Sequence, residues 1–328
     1  MKILRFCGRL VAVMACLGGG GCGERGAGVP ESGPARVELV PVSGERALEE
    51  VAKFVSLGPR DSGTEGAARA AEYLRTRFEE LGVMAEVQAF EDDTPQGRVV
   101  FRNVIGKIPG KSGRILLLGS HYDTKSGIEG FEGANDSGSS TGLLLELGRV
   151  LAEASPMPLE IWLAHFDGEE CMVEYGPRDG LHGSRYLARK LEAEGRIEDV
   201  AAMILLDMIG DRDLTVTIPR NSTPELVAMA FAAAREEGVR RHFELHDGQV
   251  LDDHVPFLER GVPAIDLIDF RFGSLPGRND WWHTAEDSMD KLSAESLDIV
   301  GRVTARMIRE IMEAESGVLS PSRPDRKD

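Results

Sequence analysis

Apolar positions along this chain follow two alternating rhythms, continuous runs and stripes at helical spacing. Leu48, Val51, Ala52 and Val55 share one face of a helix predicted over residues 45–57. A Gly/Pro-containing turn at 58–63 follows, and Thr64 is placed to cap a second helix that stops at Gly82. Residues 83–90 alternate apolar and polar as a half-buried strand does, and residues 99–108 read as its antiparallel partner at one side of a sheet. Continuous apolar runs at 114–120, 159–166, 200–206 and 262–268 read instead as central strands covered on both faces. Helical patterns at 139–153, 183–194, 223–238 and 293–313 alternate with them, and Asp252-Asp253-His254 opens a short helix that ends at Gly261. This alternation predicts an α/β fold: a single domain with a mixed, mostly parallel central sheet and helices on both faces.

Polar residues of one chemical kind cluster at the ends of the central runs. His121 and Asp123 follow the first, and Asp136 stands in Asn135-Asp136-Ser137-Gly138 after a glycine-rich loop. Asp167-Gly168-Glu169-Glu170 closes the second run, Asp207 closes the third, and His283 lies in a loop before the last helix. Open α/β sheets build their sites at the carboxyl ends of strands. Imidazole and carboxylate without thiolate is the donor set of a hydrolytic zinc site with an open position. Side chains of neighbouring residues near a strand end point different ways, so one of Glu169 and Glu170 can bind a metal while the other faces substrate as acid or base. Asp123 is spaced to accept the remaining ring proton of His121. Singly, each residue has a plainer reading: loop histidines, a helix cap at Asp136, turn residues at Asp207 and 167–170. Five ligand-type residues, each tied to a strand end, favour a metal. Trp162 reads as core, Lys125 as a solvated loop lysine, and His165, His182, His242 and His246 as packing or surface residues.

Charge and the chain ends narrow the setting. The formal charge of −17, with no basic stripe, excludes nucleic acid as a partner. Lys2, Arg5 and Arg9 precede a short apolar stretch and a glycine run, predicting an export signal over 1–22 that is too short to span a bilayer. Cys22 resembles the lipidated cysteine of bacterial lipoproteins, with Cys16 and plain signal cleavage as alternatives. The expected location is the bacterial cell envelope, with membrane contact only through that anchor, or else the periplasm or medium. Residues 23–41 read as a flexible tether, 42–315 as the catalytic domain and 316–328 as a disordered tail. Cys171 is then left alone, and no intramolecular disulfide is expected.

Five segments together resemble the zinc aminopeptidase superfamily: His121-Tyr122-Asp123-Thr124, Gly133-Ala134-Asn135-Asp136-Ser137, Asp167-Gly168-Glu169-Glu170, Leu206-Asp207-Met208-Ile209-Gly210 and Trp282-His283-Thr284. Within it, residues 167–188, 252–263 and 58–66 are similar to glutaminyl-peptide cyclotransferases, so the resemblance spans about residues 45–313. For a cyclase it implies one Zn2+ held by Asp136, Glu170 and His283, with Glu169 as acid/base. Asp207 and Asp253 would form a hydrogen-bonded carboxylate network beside it, with His254 as neighbour. Trp282 would wall a pocket for peptide or protein N-termini whose glutamine is cyclised with loss of ammonia. For an aminopeptidase it implies two zinc ions bridged by Asp136, with His121 and Asp207 completing the second site. The superfamily also often carries a cis peptide after the bridging aspartate, here Asp136–Ser137. Two residues depart from animal cyclases, Asp266 in place of a histidine near Asp207 and Tyr175 in place of a pocket tryptophan. A non-catalytic surface lipoprotein is the remaining reading, and retention of Glu169 counts against it.

Overall fold

The computed structural model describes residues 37–316. The expectations for the export signal, Cys22, the tether up to residue 36 and the tail from residue 317 lie outside the described residues. Helix α1 (Gly44–Val55) starts at Ser43, whose hydroxyl accepts from the Arg46 N–H, and α2 (Glu65–Glu80) starts at Thr64, which accepts from Ala67. Each cap satisfies one of the N–H groups that a helix start leaves without an intrahelical partner. β1 (Met84–Thr94) and β2 (Gly97–Ile108) then form the predicted antiparallel hairpin, with Phe90 opposite Phe101.

From there the chain alternates: β3 (Ile115–His121), α3 (Ser140–Glu153), β4 (Glu160–Phe166), α4 (His182–Ala193) and β5 (Val200–Asp207). After β6 (Val216–Ile218) come α5 (Pro224–Glu236), β7 (Phe243–Leu245), α6 (Val255–Leu258), β8 (Ala264–Ile268) and α7 (Ala294–Glu315). The main sheet has the order β1-β2-β4-β3-β5-β8. β2 pairs antiparallel with β4, while β4, β3, β5 and β8 run parallel. The expected α/β architecture with a mixed, mostly parallel sheet is therefore met. β6 and β7, which pair in a separate two-stranded parallel sheet, were not predicted. Three residues are too few to display a period.

Successive strand residues feed two separate cores, as the period of two requires. Leu116, Leu118, Ile204 and Leu206 point into the core covered by α1, α2, α3, α5 and α7. Ile115, Leu117, Met203 and Leu205 point the other way, onto Leu187 and Leu191 of α4 and Phe257 of α6. Trp162 belongs to this second core, with the Lys107 ammonium 4.4 Å from its ring centre. Because β4, β3, β5 and β8 are parallel, their carboxyl ends share one edge. His121 pairs with Phe166, and Gly119 with Leu205, so His121 and Asp207, two residues further on, end abreast.

Candidate metal centre

Two sets of donors meet at this edge and share Asp136. The irregular turn Ala134–Ser139 carries it at φ −104°, ψ 87°, outside helical geometry, and the Asp136–Ser137 peptide is cis. One carboxylate oxygen of Asp136 lies 3.0 Å from Nε2 of His121, and the other 3.3 Å from Nε2 of His283. His283 is also 2.9 Å from Glu170 Oε1, while His121 Nε2 is 3.4 Å from Asp207 Oδ1. Donor atoms of Asp136, Glu170 and His283 thus lie within 4.8 Å of one another, as do those of His121, Asp136 and Asp207. Asp136 Oδ2 is buried and has no hydrogen-bond partner among the described residues. Nitrogen and oxygen donors converging on a buried, unpartnered carboxylate oxygen are what a zinc site offers, so the residues fit the ion that the resemblance implies. Burial opposes a proton on His283, yet Asp136 and Glu170 hold its pKa up at about 10, which shows how strongly this spot favours positive charge.

The loop after β4 separates the two glutamates. Gly168, at φ +74°, lets the chain turn sharply, and a Cβ there would sit 2.5 Å from the Phe101 ring. The Asp123 carboxylate accepts the backbone N–H of both Glu169 and Glu170 at 3.2 Å, and its Oδ1 lies 3.5 Å from Nδ1 of His121. One side chain therefore anchors the turn and faces the His121 ring. Glu169 is buried beside Glu170, and the hydroxyl of Tyr175 donates toward both of its oxygens at 3.1 Å. Burial pushes Glu169 well above the ordinary carboxyl range; His121 opposes this, and Glu170, Asp252 and Asp253 add to it. Tyr175 reaches this position because its loop is wound around Asp179, which accepts from the N–H groups of Met172, Val173 and Glu174 at 2.7 to 2.9 Å.

A pocket of about 410 Å³ opens over these groups. Its floor is Asp136, Glu169, Glu170, Asp207 and His283, and its walls include Tyr175, Leu251, Phe270 and Trp282. Trp282 stacks on the His283 ring, 4.0 Å between centroids. The fold matches known proteins. The model of peptidase family M28 fits residues 103–308. The chain belongs to that family. It is 31% identical over 279 residues to a glutaminyl-peptide cyclotransferase of Drosophila melanogaster, covering 75% of this chain and 76% of the relative. A solved glutaminyl cyclase from an Acidobacteriales bacterium superposes with TM-score 0.81 at 36% identity, over 87% of this chain and 99% of that one. A leucine aminopeptidase precursor from Bacteroides thetaiotaomicron superposes with TM-score 0.72 at 25% identity, over 83% and 99%.

Around the M28 centre three positions differ from the sequence expectation. Asp253, expected in a hydrogen-bonded network beside Glu169, is fully buried near it, but neither of its carboxylate oxygens has a hydrogen-bond partner among the described residues; its neighbour Asp252 lines the pocket. In the turn leading to α6 the two point different ways, which spacing alone does not reveal. Lys125 is half-buried rather than solvated, 3.5 Å from Glu170 Oε2 and 2.9 Å from Cys171 Sγ. His246 lines the pocket, brought there by the unpredicted β7 just before it.

Asp252, His254 and Asp266 make a further buried knot, with donor atoms within 4.8 Å. Asn221 Oδ1 accepts from the Val250 N–H at 3.0 Å, so its amide nitrogen must donate, to Val250 O at 2.8 Å and to His254 Nε2 at 3.0 Å. Burial holds His254 down at about 4, so the ring is neutral and its proton sits on Nδ1. In that tautomer Nδ1 has no free lone pair to offer, and it has no hydrogen-bond partner among the described residues. Asp266 is pushed well up by burial and then by Asp252 and Asp207, which fits a proton held between the carboxyls.

Proposed function

We propose that this chain is a zinc-dependent glutaminyl-peptide cyclotransferase, converting the N-terminal glutamine of peptides or proteins to pyroglutamate with release of ammonia. The observation that carries the reading is a buried carboxylate, Glu169, beside the Asp136–Glu170–His283 triad, in a chain 36% identical to a solved glutaminyl cyclase. Zinc held by that triad would supply Lewis acidity toward the glutamine side-chain carbonyl. Glu169 takes the proton from the attacking α-amine and passes one to the departing ammonia. Its raised proton affinity suits both halves of that task. Tyr175, donating to Glu169, fixes the direction in which the carboxylate points. Nucleophile and amide belong to one molecule, so the pocket has only to hold the side chain folded back on the amine. Phe270 and Trp282 offer apolar walls against which the folded-back substrate side chain can pack.

A second reading, metallo-aminopeptidase, is favoured by one observation: His121, Asp136 and Asp207 form a complete second donor set. In that reaction Glu169 would take its proton from water. The test is to offer purified protein an N-terminal glutaminyl peptide and an N-terminal leucyl peptide and to analyse the products by mass spectrometry. Loss of ammonia from the first is expected; release of free leucine from the second, with the first unchanged, would replace the cyclase reading by the peptidase one. Export with a lipid on Cys22 belongs to the same proposal, and labelling with a fatty-acid analogue that persists in Cys22→Ala would remove it.

A further inference from the structure

Two buried polar side chains, Arg60 and Asp287, lie behind the centre, and the chemistry above uses neither. Arg60 is among the largest fully buried side chains, and all of its guanidinium nitrogens donate to backbone carbonyls. Nε bonds Tyr122 O at 3.0 Å, Nη1 bonds Gly58 O and Glu132 O at 3.2 Å, and Nη2 bonds Gly133 O at 3.0 Å. Tyr122 directly follows His121, and residues 132–133 lead into the turn that bears Asp136. Asp287 takes the other side of that turn. Its Oδ1 accepts the Asn135 N–H at 2.7 Å and its Oδ2 the Asp136 N–H at 3.0 Å. Asp287 also lies four residues beyond His283, in a turn closed by its own N–H to Thr284 O at 3.1 Å.

The geometry points to Arg60 and Asp287 as positioning residues of the metal centre, a clamp that grips the 132–136 turn by its carbonyls on one side and its N–H groups on the other. The inference rests on the metal-binding reading above. Arg60 ties the turn to the strand end carrying His121, and Asp287 ties it to the loop carrying His283. Asp136 is thereby held at a set distance from both histidines, with no side chain of the clamp touching the ion or the substrate. The close fit is visible at Gly133, at φ +56°, where a Cβ would lie 3.0 Å from Arg60 Nη2 and 2.5 Å from Asp136 O. Groups behind metal ligands are worth roughly 10- to 100-fold in affinity when removed. Asp287→Asn keeps the shape but turns an NH2 toward one of the two backbone N–H groups. Arg60→Lys keeps the charge but cannot reach four carbonyls.

The test uses full-length protein stripped of metal, titrated with zinc against a chromophoric chelator, with apo-protein melting followed in parallel. Zinc affinity roughly 10- to 100-fold weaker in both variants is expected, with kcat at saturating zinc within a few-fold of wild type. A purely structural role would lower the apo melting temperature and leave affinity alone. If one of the two variants does not fold, the other, which leaves every residue of the 132–136 turn unchanged, gives the same readout. Variants that bind zinc as tightly as a zinc-binding wild type overturn the clamp alone. A wild-type chain that takes up no zinc overturns the metal reading and the clamp with it.

Discussion

Glu169 and Glu170 are adjacent in the chain, yet they face different partners: Glu170 meets His283 at 2.9 Å, while Glu169 meets the Tyr175 hydroxyl. Glu169→Gln is therefore expected to retain zinc and lose roughly 10²- to 10⁴-fold in kcat, read from ammonia release. Glu170→Gln is expected to lose zinc itself, measured by metal content after dialysis. His165 gives a prediction about stability. Both ring nitrogens lack a hydrogen-bond partner among the described residues, and burial holds its pKa down at about 3 against an ordinary 6.5. The unfolded chain takes a proton below 6.5 that the folded chain refuses until about 3, so stability is lost as pH falls through that window. At pH 4.5 the loss is about 2.5 kcal/mol, and His165→Phe should remove that part of the acid sensitivity in urea melts at pH 7.5 and 4.5. An unchanged difference between the two pH values would contradict it. The residues legible in the sequence were those with both a ligand chemistry and a strand end, such as His121 and Asp207. Arg60 and Asp287 were not, because each acts on backbone far along the chain, and no local pattern announces that.

Elements announce themselves by length and by their ends. Thr64 and Ser293 were placed at helix starts from the sequence, and both accept a backbone N–H three residues on. The central strands were legible because burial on both faces leaves an uninterrupted apolar run. Contacts between helices are less visible in the sequence, and Gly142 in α3 shows why. A Cβ there would lie 2.4 Å from a Val51 methyl and 2.7 Å from Ala47 O, so α3 packs directly against the α1 backbone. Gly142→Ala is expected to destabilise by about 1–3 kcal/mol in urea unfolding, despite the better helix propensity of alanine. A stabilised variant would mean that the two helices sit further apart than described.

At the scale of the whole molecule, the parallel strands bring to one edge residues that are far apart in sequence, and Asp136, Glu170 and His283 come from three different connections. A cation bound there ties those connections together and stabilises the folded chain by mass action, about 4 kcal/mol when zinc is at a thousand times its dissociation constant. Chelation is expected to lower the melting temperature and abolish turnover together, and zinc should restore both; loss of activity with an unmoved melting curve would argue against a bound ion that bridges them. The central claim is that one zinc sits among Asp136, Glu170 and His283 beside Glu169. Anomalous diffraction from zinc-loaded crystals, collected on either side of the zinc edge, tests it most directly. The account predicts a peak about 2.0–2.2 Å from a donor atom of each of the three residues. A map with no peak there, or with its zinc held by other side chains, would contradict it.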